Sequence, residues 1–229
     1  MDRADVVVIG GGIVGTSAAA FLAEAGKTVV LVEREGLASA ASGANSGVVQ
    51  HPFDPVLAAL YHSTIELYRE LSLKSTSFRL ADRPAGMLFV AQREDAARDE
   101  AQRVAAEFPR LRSQVLDPAP LHELEPSLAP GLWACRVDIG YPVWPGASTY
   151  AYASLAEERG VTIRMGRAAT LVREGEAVTG VAVDGRRIAA DKVLVAAGPW
   201  SPEVIDPNGT WRPIRPLWGS VVEIELANA

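Results

Sequence analysis

The segment VVVIGGGIVGTSAAAFLAEAGKTVVLVERE, residues 6–35, constrains the fold more than any other part of this 229-residue chain. Ala4 to Ile9, apolar but for Asp5, is a run bounded by polar residues and glycine, the pattern of a strand buried on both faces. Gly10, Gly12 and Gly15 then spell G-x-G-x-x-G. The first glycine permits a tight turn out of the strand, the second lets a pyrophosphate approach the backbone, and the third lets a helix pack on the sheet. Thr16 to Ala25 is alanine-rich and predicts that helix, with Gly26 as its left-handed stop. The helix start would turn its unpaired N–H groups toward phosphates. Thr28 to Val32 predicts a second strand, and Glu33 follows it, 23 residues after Gly10. A carboxylate there can accept both ribose hydroxyls of an adenosine and would repel a 2′-phosphate. Strand, glycines, helix, strand and acid in this order point to an adenine dinucleotide other than NADP.

The next stretch, GLASAASGANSGVVQHPFDP (36–55), bears on which dinucleotide. A simple NAD domain passes directly into another short crossover. Here Ser42, Gly43, Asn45, Ser46 and Gly47 form a small-residue loop whose amides and short side chains could lie against a flat ring and its phosphate tail. A flexible serine-glycine linker is the alternative reading.

These motifs, with GMLFVA (86–91), LEPSLAPGL (124–132) and DKVLVAAGPWSPEV (191–204), resemble the D-amino-acid-oxidase-like FAD-dependent oxidoreductases, which include glycine and sarcosine oxidases and the 2-hydroxyglutarate and glycerol-3-phosphate dehydrogenases. The resemblance runs through nearly the whole chain and covers the N-terminal portion of such proteins. It implies an α/β fold: a Rossmann-like FAD-binding domain, a parallel sheet with helices, interleaved with part of an α+β substrate domain. The implied division is 1–80 and 146–208 for the FAD-binding domain, 81–145 for the substrate-domain segment, and 209–229 for the return toward the substrate domain. The implied cofactor set is Gly10, Gly11, Gly12, Ile13, Val14, Gly15, Glu33, Arg34, Ser42, Gly43, Asn45, Ser46, Gly47, Ala168, Ala197, Gly198 and Trp200. Ala197 and Gly198 would lie beside the flavin and its phosphates, and Ala168 would offer backbone to adenine. Relatives that attach flavin covalently tend to carry a histidine in the small-residue loop; Ala44 stands near that point, so non-covalent FAD is expected. Some relatives read N-S-G-x-x-H, whereas here Gln50 takes the last place and His51 follows. His51 then reads either as a displaced member of that pattern or as a loop histidine before Pro52. No catalytic residue is singled out.

Elsewhere, Asp54-Pro55 suits a helix start, and Leu57, Leu60, Tyr61, Thr64, Leu67, Tyr68 and Leu71 keep helical spacing. Phe78 to Leu80 and Met87 to Ala91 read as strands of a second sheet. Glu94 to Phe108 is a charged surface helix, Asp117-Pro118 opens a short one with His122 facing solvent, and Ser148 to Arg159 is a third. Val161 to Met165 predicts the third strand of the nucleotide sheet, and Asp184-Gly185 a hairpin turn within 167–190. Leu217 to Leu226 reads as a long apolar strand in want of a neighbour, with Trp211 and Trp218 beside it. That edge suggests a second polypeptide completing the substrate domain, or a fragment.

A net charge of −6 without a basic run argues against nucleic acid. One cysteine, Cys135, cannot make an internal disulfide, no apolar stretch is long enough to span a bilayer, and MDRAD does not open a signal peptide, so a cytoplasmic location is expected. Three scattered histidines and one cysteine make no metal site. The expected chemistry is oxidation of the C–H next to an amine or hydroxyl of a small amino acid or hydroxy acid, by hydride transfer to flavin N5. An NAD-dependent dehydrogenase and a non-catalytic, flavin-binding subunit are the alternatives.

Overall fold

A computed structural model describes residues 2–221. In chain order the elements are β1 (Arg3–Ile9), α1 (Ile13–Glu24), β2 (Val29–Val32), β3 (Val48–Val49), α2 (Pro55–Lys74), β4 (Met87–Ala91) and α3 (Glu94–Glu107). There follow β5 (Ser113–Leu116), α4 (Pro118–Leu124), β6 (Trp133–Val137), β7 (Tyr141–Pro142), α5 (Ala147–Glu158) and β8 (Thr162–Arg164). The last are β9 (Ala169–Glu174), β10 (Ala177–Val183), β11 (Arg186–Val195), a 3-10 turn (Gly198–Trp200) and α6 (Ser201–Ile205). They form two compact units. Of the described residues, one comprises 2–46, Lys74–Phe78 and 144–221; the other comprises Gly47–Leu73 and Arg79–Val143.

The first unit is a six-stranded sheet in the order β8-β2-β1-β11-β10-β9. Its first four strands are parallel, and the β9–β10–β11 meander is antiparallel. β1 and β2 are valine-rich because both their faces are covered: Val7, Val8, Val30 and Leu31 are wholly buried. Val7, Ile9, Val30 and Val32 share one core with Val181, Val183 and Ile188 of the meander. Elsewhere in this unit α1 packs on α5, with Phe21 and Tyr152 rings 5.6 Å apart. The expected hairpin forms at Asp184-Gly185, whose φ values of 50° and 74° are those of a primed turn. β8 pairs parallel with β2, as the sequence predicts for the third nucleotide-sheet strand.

The second unit holds a three-stranded antiparallel sheet, β4-β6-β5, with α3 lying on it through buried Ala97 and Val104. The rest of α3 is solvated and laced by Arg98–Glu94 and Arg103–Glu100 pairs. β3 and β7 pair antiparallel, and Val143 N–H donates to the Gly47 carbonyl at 2.8 Å beside them. α2 buries only Tyr61, Ile65 and Leu71; Leu57, Leu60 and Leu67 of the expected apolar stripe are exposed.

Three expectations are corrected. α1 begins at Ile13, three residues before Thr16, because the helix is nucleated directly on the glycine turn: Thr16 N–H donates to the Gly12 carbonyl at 3.0 Å. Phe78 to Leu80 is not a strand. Its groups bond to the end of α2 instead, Leu80 N–H to Ser72 Oγ at 3.2 Å and the Arg79 guanidinium to the Ser72 carbonyl at 2.6 Å. Residues 217–221 carry no strand, having no hydrogen-bonded neighbour among the described residues; the rest of that expected strand, 222–226, lies outside them.

Candidate functional site

At the carboxyl ends of β2, β1 and β11 the registers Ile9↔Val32 and Ile9↔Val195 place Glu33 and Ala196 on either side of Gly10. Gly10 has φ +117°, and any Cβ there would run into the Ala196 carbonyl oxygen. A Cβ on Gly15 would likewise strike the Gly10 carbonyl oxygen. The chain's own packing therefore demands both glycines. Gly12 is different. It has φ −81° and ψ −179°, a backbone any residue adopts, and its Cβ would meet only the Ser42 hydroxyl, at 3.0 Å. A side chain at 12 would therefore press on no backbone, only on the hydroxyl that accepts from Ile13 N–H.

Gly12 is also the cap residue of α1. The helix start leaves the amides of Ile13, Val14 and Gly15 without intrahelical acceptors. Ser42 Oγ accepts from Ile13 N–H at 3.0 Å, so the small-residue loop closes against the helix start. Its hydroxyl proton stays available for an anion, and the helix end adds positive potential. Glu33 is held from every side. Its N–H donates to the Arg164 carbonyl at 2.9 Å and its carbonyl accepts from Arg167 N–H at 3.0 Å. Its carboxylate accepts from Gly11 N–H at 2.6 Å and from Glu35 N–H at 2.8 Å. One amide on each oxygen leaves acceptor capacity on both, which is what a ribose diol needs.

Around this centre the structure gathers most of the predicted residues. Arg34 lays its guanidinium 4.4 Å from the centre of the Trp200 ring. Ala197 caps the 3-10 turn, and Gly198, at φ 55°, has open space where a side chain would stand. Ala168 is exposed next to Arg167, whose amide binds Glu33. Asn45 uses its side-chain amide within the loop, donating to the Ala41 and Ser42 carbonyls at 3.1 and 3.0 Å. Ser46 is exposed, and Gly47, at φ 67°, belongs to the other unit. Sequence reasoning missed Leu37 and Ala38. Leu37 Cδ2 lies 3.0 Å from where a Gly11 Cβ would be, and Ala38 N–H donates to the Gly11 carbonyl at 3.1 Å. A small apolar pair in a loop carries no signal of that role.

His51 is 1% exposed in the second unit. Its Nδ1 accepts from Phe53 N–H at 3.1 Å, and Tyr61 and Phe108 rings stand edge-on, each 5.0 Å away. Burial, and then nearby His62, lower its pKa below the ordinary imidazole value. Nε2 has no hydrogen-bond partner among the described residues, and the T-shaped rings around it make His51 part of an aromatic core. Among the described residues no group of three or more His, Cys, Asp and Glu could hold a metal, and no helix is long and apolar enough to cross a membrane.

A parallel sheet with a glycine turn, a helix start and a ribose-competent carboxylate at its carboxyl edge defines a dinucleotide-binding protein of the Rossmann class. The family of that class is settled by comparison: the FAD dependent oxidoreductase family model matches residues 5–229, and the chain belongs to this family. It is similar to glycine oxidase of Pseudomonas aeruginosa, 29% identical over 97% of this chain and 63% of the relative. It is also similar to D-amino acid dehydrogenase of Methylobacterium radiotolerans, 28% identical over 98% of this chain and 68% of the relative. Among solved structures, glycine oxidase from Bacillus cereus superposes with a TM-score of 0.71 at 27% identity, over 89% of this chain and 58% of that one. The chain thus spans about three fifths to two thirds of the length of these relatives.

Proposed function

We propose that this chain is the FAD-binding part of an oxidoreductase acting on a small amino acid or hydroxy acid. The observation that carries the reading is Gly12: a glycine with an ordinary extended backbone whose added Cβ would press on the Ser42 hydroxyl alone, flanked by the α1 amides, that hydroxyl and the Glu33 carboxylate. In this reading Glu33 holds the adenosine ribose, and the amides of Val14 and Gly15 with the Ser42 hydroxyl hold the pyrophosphate. Gly43, Asn45, Ser46, Ala197 and Gly198 give the flavin end a surface with little side-chain bulk. Trp200 and Arg34 border the strand ends, and Ala168 supplies backbone to adenine. Binding is non-covalent, there being no histidine within residues 36–47. When bound, FAD supplies the acceptor for a hydride from the substrate C–H next to an amine or hydroxyl. The protein orients the cofactor and keeps its phosphates neutralised.

We assign the dinucleotide to the first compact unit and read the second as a segment of the substrate domain. A further polypeptide stretch completing that domain is part of the proposal. It is supported by the partial coverage of the relatives and by the 96% and 84% exposure of Leu217 and Trp218. A cytoplasmic site of action is proposed on the single, buried Cys135, which suits a reducing compartment. The test is the visible spectrum of the chain purified without added cofactor, followed by anaerobic addition of glycine, sarcosine, D-amino acids and 2-hydroxy acids. Flavin bands that bleach with one of these support the reading. Flavin bands that none of them bleaches favour a non-catalytic flavin-binding role. Protein that takes up no FAD even when it is added sinks both.

A further inference from the structure

The glycine turn and the serine loop meet at Ala38, and we infer that this alanine is a positioning residue, setting the loop in its cofactor-ready shape before FAD arrives. The inference rests on the FAD reading above. Ala38 has φ 57°, a left-handed backbone uncommon for a residue that carries a Cβ, and it is only 7% exposed. Its N–H binds the Gly11 carbonyl. Its own carbonyl oxygen fills the space where a Gly43 side chain would begin. Its methyl sits between two glycine positions: a Cβ on Gly43 would lie 3.3 Å from it, and one on Gly146 3.2 Å. The neighbouring Leu37 carbonyl accepts from the Tyr150 hydroxyl of α5 at 3.2 Å. Four residues beyond Ala38, Ser42 caps Ile13. One left-handed residue thus joins the glycine turn, the serine loop and the segment leading into α5.

A glycine would adopt the same φ without steric cost. What glycine lacks is the methyl that fills the slot between Gly43 and Gly146, and with it the restriction to one loop shape. Alanine held in a sparsely populated region persists only where its surroundings over-determine it, and such residues gather at sites that must be preorganised. The ordering cost of the 38–46 loop is then met on folding and not on binding, which raises affinity for whatever the loop covers.

The test compares wild type with Ala38→Gly by hydrogen exchange of the cofactor-free protein and by fluorescence titration with FAD. The expected result is exchange about tenfold faster at the Ile13 amide and across 39–46, little change in the thermal midpoint, and an FAD Kd weakened about tenfold. Ala38→Ser keeps the Cβ and is expected to behave as wild type. Gly43→Ala, which drives a methyl into the Ala38 carbonyl from the other side, is expected to weaken FAD with Ala38 intact. Unchanged exchange at Ile13 overturns the inference, and so does faster exchange with unchanged affinity. A wild-type chain that takes up no FAD overturns the cofactor reading itself, a failure visible before any variant is compared.

Discussion

The glycines of the first turn look alike in sequence and answer to different demands. Gly15 is required by the fold, since any side chain there meets the Gly10 carbonyl. Gly15→Ala is expected to lower stability by about 1–3 kcal/mol through overpacking, read as a lower midpoint in denaturant whether or not FAD is present. Gly12→Ala meets only a serine hydroxyl, so the apo protein should melt within a few degrees of wild type, while FAD affinity falls at least roughly tenfold as the methyl enters the pyrophosphate's space. A Gly12→Ala variant that binds FAD normally would remove the main support for the site. At Glu33 the charge matters as well as the shape. Glu33→Gln should weaken FAD by about 1.5–3 kcal/mol through loss of charge-assisted hydrogen bonds, measured as Kd by fluorescence quenching. These positions were legible in the sequence because glycine spacing and a lone acid after a strand are chemical signatures. Ala38 was not, because nothing distinguishes a left-handed alanine from its neighbours until the backbone is traced.

Among the elements, those that announce themselves are the ones whose pattern is set locally. β1 and β2 are runs of valine buried on both faces, and the primed turn at Asp184-Gly185 is written in two residues. β5 and β6 escaped because SQVL and WACRV are short and lie among prolines and glycines, so only their pairing across the sheet defines them. Phe78 to Leu80 has strand-forming residues, yet Ser72 captures its amide and its arginine, and a side-chain bond from a helix end overrides propensity. α2 is the opposite case: its spacing is helical and the helix forms, although most of its leucines face outward. What starts it is Asp54, whose Oδ1 accepts from the Val56 and Leu57 amides at 2.8 and 2.9 Å. Asp54→Ala should therefore cost about 1 kcal/mol, as for other capping residues, with far-UV dichroism at the thermal midpoint as the check.

At the scale of the whole molecule, stability should depend on pH through His51 and His62. Burial lowers both pKa values from that of an exposed imidazole. The folded state then binds fewer protons than the unfolded state wherever the pH lies between the two sets of values. Stability is full above about pH 6.5 and falls as the pH drops below it, by at most about 1.4 kcal/mol per pH unit for each proton taken up. Chemical denaturation at pH 7.5, 6.0 and 5.0 measures this slope, and His51→Phe should remove the larger part of it. An equal slope in the variant would show that His51 is not the group responsible.

The two compact units are threaded through one another in sequence, yet the long excursion from Gly47 to Val143 begins and ends at a single point, where Val143 donates to Gly47 and β3 lies against β7. A segment whose two ends already touch can be exchanged for another of different length without moving the strands it interrupts. Grafting the corresponding excursion from another family member would have to keep the Val143–Gly47 hydrogen bond at its base. On the proposed assignment, a lineage can change what is oxidised by replacing one insertion while the nucleotide cradle passes down unaltered.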